Sequence, residues 1–220
     1  MPAVSNPGPG IVAAQLARVA DEGSGRHSYR DALVCASGPS SARDLADAVH
    51  LMCAIHGRFP GLADLAMTNA PIGPVRDWLR EAADAFERER LYLVRLTASV
   101  GPLPSTPGAA QTESALVAQR HAIETLAKSE RRGCALGAAA AMVQDWKAIR
   151  PILDHAATRS GLECPASTLP DDDSVASVMA QGADGLASER ALAFGAEQLL
   201  LQHRALFDLL QARAEAREHF

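Results

Sequence analysis

Three ionisable side chains stand where helical phase calls for apolar ones. Glu89 lies between Phe86 and Leu93, in a run that also puts Val75, Trp78 or Leu79, Ala82, Leu96 or Thr97 and Val100 on one face. His203 lies between Leu199 and Leu206, and His56 follows Val49 and Met52. Positions three and four apart share one face of a helix, so each of these side chains is aimed at a packed interior. A carboxylate placed there must meet a cation, accept hydrogen bonds, face a cavity or shift its protonation equilibrium, because burying it unpaired is costly. A neutral imidazole is easier to bury, with one nitrogen donating and the other accepting. If the three converge, Glu89 can serve as a carboxylate ligand or proton acceptor, and His56 and His203 as metal ligands or acid–base groups. If they do not, the histidines are satisfied core-edge residues and Glu89 pairs locally with an arginine.

Other chemistry is thin. The chain contains no G-x-x-x-x-G-K-[ST] phosphate loop, no G-x-G-x-x-G turn, no G-x-S-x-G elbow and no H-E-x-x-H metal helix. A carboxylate-bridged metal centre in a bundle uses E-x-x-H pairs, and none occurs here. The nearest pair is the reversed His121 and Glu124, whose phase is opposite that of Leu116, Ile123 and Leu126 and therefore faces solvent. Cys53 and Cys134 fall inside helical segments as small packing residues; a nucleophilic role would need an activating base or a positive environment. Trp78 and Trp146 occupy apolar stripes and read as core. Asn69, Arg76 and Asp77, around NAPIGPVRDW, can shape a pocket near a helix start, where backbone amides attract anions, or can simply cap that helix. The acidic run Asp171 to Asp173 lacks the ligand spacing of a calcium loop and suits the N-terminus of a short helix over 175–179. The sequence specifies no cofactor.

These residues need helices to position them. Alanine recurs through the long segments while aromatics make up only 4% of the chain, a combination that favours closely approaching helices over strands. Long helices are expected over about 75–100, 110–132, 134–160 and 188–218, the third with Pro151 as a possible point of bending. Shorter helical pieces are expected over 11–20 and 29–36, and a further helix from Ser40 or Ser41 to Gly57. Residues 57–74 read as a punctuated connection with an apolar patch at Leu62, Leu65 and Met67. The segment GPLPSTPG at 101–108 breaks the chain between two helices. The expected fold is an all-α antiparallel bundle of about four long helices with short N-terminal companions. Residues 1–220 form one helical domain on this reading, with 1–9 mobile and 161–187 a long connection able to cross the bundle.

Charge and cysteine usage narrow the partners. With 21 basic and 26 acidic residues the formal net charge is −5, and the arginines at 76, 80, 88, 90 and 95 alternate with acids, so no nucleic-acid partner is expected. No apolar run is long enough to span a membrane and no secretory signal opens the sequence, so no membrane partner is expected. The four cysteines are far apart, form no CxxC and suit a cytoplasmic protein. Phe194, Leu201 and Leu209 broaden the apolar surface of helix 188–218 beyond one seam, which makes self-association through that helix a candidate. Two function classes follow: a helical interaction or structural protein, and a small-molecule or metal-binding enzyme whose polar site lies between bundle helices.

Overall fold

The computed structural model describes residues 10–219, which form an all-α bundle with no strands among the described residues. Helix α1 (Gly10–Glu22) leads through a 3-10 turn at Ser24–Arg26 into α2 (Ser28–Val34) and α3 (Ser41–His56). Next come α4 (Leu62–Asn69), α5 (Pro74–Ser99), α6 (Ala109–Ala127) and α7 (Cys134–Ser160). The chain closes with α8 (Asp172–Gly182) and α9 (Leu186–Glu218). The expected mobility of residues 1–9 lies outside the described residues.

Helix α7 is the centre of the bundle: it packs most extensively on α9 and also touches α3, α4, α5, α6 and α8. Small side chains make this possible. Ala138, Ala139, Ala140 and Ala141 are all buried, so neighbours close on that turn from every side. Two glycines set the α7/α9 distance. A Cβ on Gly137 would lie 2.0 Å from the carbonyl oxygen of Leu192, and one on Gly195 would lie 2.0 Å from that of Cys134. The two backbones thus touch directly, which explains why alanine and glycine dominate segments that would otherwise carry leucine.

Helix α5 starts as its sequence dictates, with Pro74 in the first turn and Asp77 at the positive end of the helix dipole. Its buried face carries Trp78, Leu79, Ala82, Phe86, Glu89, Leu93 and Leu96, the stripe read from the sequence. On α9 the buried positions include Leu192, Ala196, Leu199, His203, Leu206, Phe207 and Leu210, and then Arg213.

Two connections hold more structure than their composition suggests. Within 57–74, α4 buries Leu62, Ala63 and Ala66, and the Asp64 carboxylate accepts the Gly61 N–H at 2.8 Å. Breakers at Gly57, Pro60, Pro71 and Gly73 leave it only eight residues, too few to show a period. Within 161–187, α8 is longer than the 175–179 expected. The Asp171 carboxylate accepts the Ser174 N–H at 2.8 Å, and Asp172 and Asp173 occupy the first turn. Pro151 is accommodated inside a continuous α7.

Candidate functional site

The three residues singled out by phase sit along one buried polar chain that crosses the bundle through α7. At one end the backbone N–H of Ser24 donates to Asp145 Oδ1 at 2.7 Å, and the Ser24 hydroxyl donates to Oδ2. Asp145 Oδ2 also lies 2.6 Å from Nδ1 of His203, and both residues are 1% exposed. An ionised carboxylate can only accept, so the proton of this contact sits on Nδ1 and His203 Nε2 is left as the free position. The His203 ring meets the His56 ring edge-on at 5.1 Å, and His56 meets Trp146 the same way at 5.2 Å. Trp146 then donates from Nε1 to Glu89 Oε2 at 3.0 Å.

Glu89 does not pair locally. Its other oxygen accepts from Arg150 Nη1 at 2.6 Å, across to α7. Arg150 Nε reaches Asp154 Oδ1 at 2.8 Å, its Nη2 donates to the Pro165 carbonyl, and its guanidinium lies 4.6 Å over the Tyr92 ring. Both Glu89 oxygens and all three Arg150 nitrogens are therefore engaged, and the 161–171 segment is tied to the core through Pro165. Trp146 lies between His56 and Glu89, meeting the first ring edge-on and donating to the second. Among the described residues no group of three or more His, Cys, Asp or Glu side chains is placed to hold a metal ion.

The environment shifts these groups in different directions. Burial and the neighbouring His203 hold the His56 imidazolium well below its ordinary 6.5. For Asp145, burial pushes upward, but the His203 contact and the two Ser24 donors outweigh it and the carboxyl falls below 3.8. For Glu89, burial dominates over the help from Trp146 and Arg150, and the carboxyl rises above 4.5. Nε2 of His56 and Nε2 of His203 are both buried without a hydrogen-bond partner. A void lined by His56, Arg90 and Asp64 has a volume of about 40 Å³, room for a few waters.

A second buried network ties the end of α9 to α3 and to the 101–108 turn. Arg213 donates from Nε to both Asp47 oxygens at 3.0 and 2.9 Å, from Nη2 to Asp47 Oδ1 at 2.8 Å and from Nη1 to Thr112 at 3.1 Å. Arg217 adds bonds to Asp47 at 2.6 Å, Thr106 at 3.0 Å and Asp44 at 2.8 Å. Asp47 is fully buried. Phase reasoning missed this set, although Arg213 continues the stripe Leu199, His203, Leu206, Leu210 by one more step.

Accessible concavities lie elsewhere, and one of them has an apolar wall. A groove of about 430 Å³ opens between α4, the start of α5, the 128–133 turn and the end of α8. Ala66, Val75, Leu79 and Leu136 supply its apolar wall, while Asn69, Glu130, Arg131, Arg132 and Gln181 stand at its polar side. Asn69 thus borders a pocket, as its setting in NAPIGP suggested, whereas Arg76 and Asp77 do not line this one. The turn is held in place by Gly133, at φ +98°, whose missing side chain admits the backbone of Ser188. His121 is exposed as expected, whereas Glu124 is half-buried beside Lys128 and lines the small void that His56 also borders, because α6 packs against α4 at this turn.

No curated protein and no solved structure matches the chain. A profile described as a family of unknown function, DUF6975, matches residues 19–218. That span runs from the last turn of α1 to the end of α9 and takes in both buried networks and the groove, so the chain belongs to the family of unknown function DUF6975.

Proposed function

We propose that the protein acts by binding rather than by turnover, seating a small apolar-bodied molecule in the groove between α4, α5 and the start of α7. One observation carries this reading: the core carboxylates are held by protein donors, whereas the groove presents an open apolar wall of small-molecule size. Nile red, a neutral apolar dye, tests it. Dye fluorescence should saturate on titration with the full chain, and Val75→Trp, which fills the half-buried wall, should weaken binding at least about tenfold with the helical circular-dichroism signal intact. Absence of dye binding, or equal binding by the folded variant, rejects the reading.

A second reading, an acid–base or metal site between bundle helices, is favoured by the two unpartnered Nε2 atoms of His56 and His203. In it His203, oriented by Asp145, is the proton acceptor or ligand, His56 is its companion, and Glu89 is a positioning carboxylate that acts through Trp146. Stoichiometric Zn²⁺ uptake lost in both His56→Ala and His203→Ala would support this use of the core. No uptake would leave the groove as the binding place.

Self-association through α9 rests on Phe194 and Leu201, seven residues apart and 41% and 45% exposed, whereas Leu209 packs against the core and does not join them. A monomer mass at micromolar concentration rejects it. We place the protein in the cytoplasm because its four cysteines are all free thiols, which suits a reducing compartment. The net charge of −5 argues against a nucleic-acid partner.

A further inference from the structure

We infer that the core histidines His56 and His203 form a binding site for one soft monovalent cation, copper(I), held between their Nε2 atoms. This rests on the metal form of the second reading above and is independent of the groove. Charge balance points to it first. Among the described residues three acidic side chains are buried: Asp47, Glu89 and Asp145. Glu89 is met by Arg150, and Asp47 by Arg213 and Arg217. Asp145 has no arginine or lysine within ion-pair distance among the described residues; its partners are the two Ser24 donors and the His203 imidazole. A carboxylate so placed leaves one negative charge in a dry interior, where an uncompensated charge is most costly. One positive charge beside His203 balances it, and a divalent ion overshoots.

The donor set narrows that charge to a class. Asp145 holds the proton of His203 on Nδ1, the carboxylate–histidine arrangement that leaves the lone pair of the other nitrogen for a metal. His56 supplies a second imidazole, kept neutral by burial and by its neighbour. Both Nε2 atoms are buried without a partner, and the two rings meet edge-on at 5.1 Å. Two nitrogens that share one ion stand about 4 Å apart, twice a metal–imidazole bond of about 2 Å, a span that suits rings at this separation. Hard cations need several oxygens, and zinc completes a tetrahedron of four donors. Among the described residues no third His, Cys, Asp or Glu joins the pair in a metal-holding group. A filled-shell monovalent ion, copper(I) or its analogue silver(I), is satisfied by two nitrogens. The small void that His56 borders is also lined by the exposed Arg58 and Pro60, so His56 is approached from the surface there.

The experiment is an anaerobic titration of the full chain with copper(I), buffered by the chelator bicinchoninate, beside a parallel titration with Zn²⁺. One equivalent of copper(I) should bind, at least about 100-fold more tightly than Zn²⁺. Cys35→Ser combined with Cys164→Ser, which removes the two exposed thiols, should bind that equivalent unchanged. X-ray absorption of the loaded chain should show a nitrogen shell at about 2.0 Å, whereas a sulfur shell at about 2.3 Å would place the ion on cysteines and overturn the site. His56→Gln and His203→Gln should each weaken copper(I) binding at least about tenfold. Asp145→Asn keeps an acceptor for Nδ1 and removes the charge, and should weaken it about 10- to 100-fold. Equal copper(I) binding by these variants with their helical circular-dichroism signal intact would overturn the proposal. If they fail to fold, the shell seen in the unsubstituted chain decides. Zn²⁺ taken up through both histidines with no preference for copper(I) would overturn the monovalent assignment and keep the second reading. No uptake of either ion would remove the metal site altogether, whatever Nile red reports on the groove.

Discussion

Two buried polar clusters hang on one face of α9, ten residues and about 15 Å apart, and they are built from opposite materials. The Arg213 cluster joins permanently charged arginines to Asp47 and Asp44, with Thr106 and Thr112 taking up remaining donors. The His203 cluster joins Asp145 to two imidazoles that each keep an unpartnered nitrogen. The first is saturated, every Arg213 nitrogen having an acceptor, so its stability contribution is tied to geometry. The second is conditional, because its buried His56 stays unprotonated at a mild acidity where the same imidazole in the unfolded chain takes up a proton. One fixes where α9 lies against α3; the other makes the contact among α3, α7, α9 and the Ser24 turn responsive to pH.

Three measurements break or sharpen this contrast. The largest effect belongs to Asp47→Ala, which strands the buried Arg213 without a carboxylate and leaves Arg217 to Asp44 alone, and should cost about 3–5 kcal/mol in urea unfolding. A loss below about 1 kcal/mol would mean that the saturated cluster is no more important than a surface ion pair.

A smaller effect comes from pH. His56 is held below 6.5, so at mild acidity the unfolded chain takes up a proton that the folded chain refuses. Stability is therefore full above 6.5 and falls as pH drops beneath it, by about 1 kcal/mol between pH 7 and 5.5 from this group. The groups facing His56 are His203, which opposes its protonation, and the neutral Trp146; Asp145 faces His203. The Asp145 carboxyl is lowered below 3.8, so its own contribution is lost only as pH falls through still lower values. His56→Gln should flatten the slope between pH 7 and 5.5, and an unchanged slope in urea titrations at several pH values would contradict the conditional character of the cluster. An effect of similar size but independent of pH is that of Thr112→Val, which removes one acceptor from Arg213 and should cost about 0.5–1.5 kcal/mol, equally at pH 7 and 5.5.

The helices were legible because their apolar stripes are long. The α5 stripe from Trp78 to Leu96 and the α9 stripe from Leu192 to Leu210 each repeat over several turns, and that repetition defines a face. Glu89, His56 and His203 were legible for the same reason, as interruptions of a stripe. Asp145 was equally available by phase, with Ala138, Met142, Ile149 and Ile152 on its face, but it reads as the charged end of an apolar run. The partners were not legible. Ser24 and Asp145 are 121 residues apart, and Asp47 and Arg213 are 166 apart, so only the packing register of separate helices brings them together. The groove was legible at Asn69 alone, since its lining brings α4 and α5 against α7, the 128–133 turn and α8, which only the packing of separate helices decides.

The glycine contact between α7 and α9 has a consequence for how the chain tolerates insertions. Where Gly137 and Gly195 bring backbone onto backbone, the helices cannot slide past one another without losing both contacts. That crossing acts as an index mark from which distances along α9 are counted. His203 lies eight residues beyond Gly195, about 12 Å, and Arg213 lies eighteen beyond it, about 27 Å. Adding or deleting a single residue between Gly195 and His203 would rotate the imidazole by about 100° away from Asp145 and carry Arg213 off Asp47 in the same movement. The spacing between the crossing and the two clusters is thus a constrained quantity in its own right, separate from which apolar residues fill it.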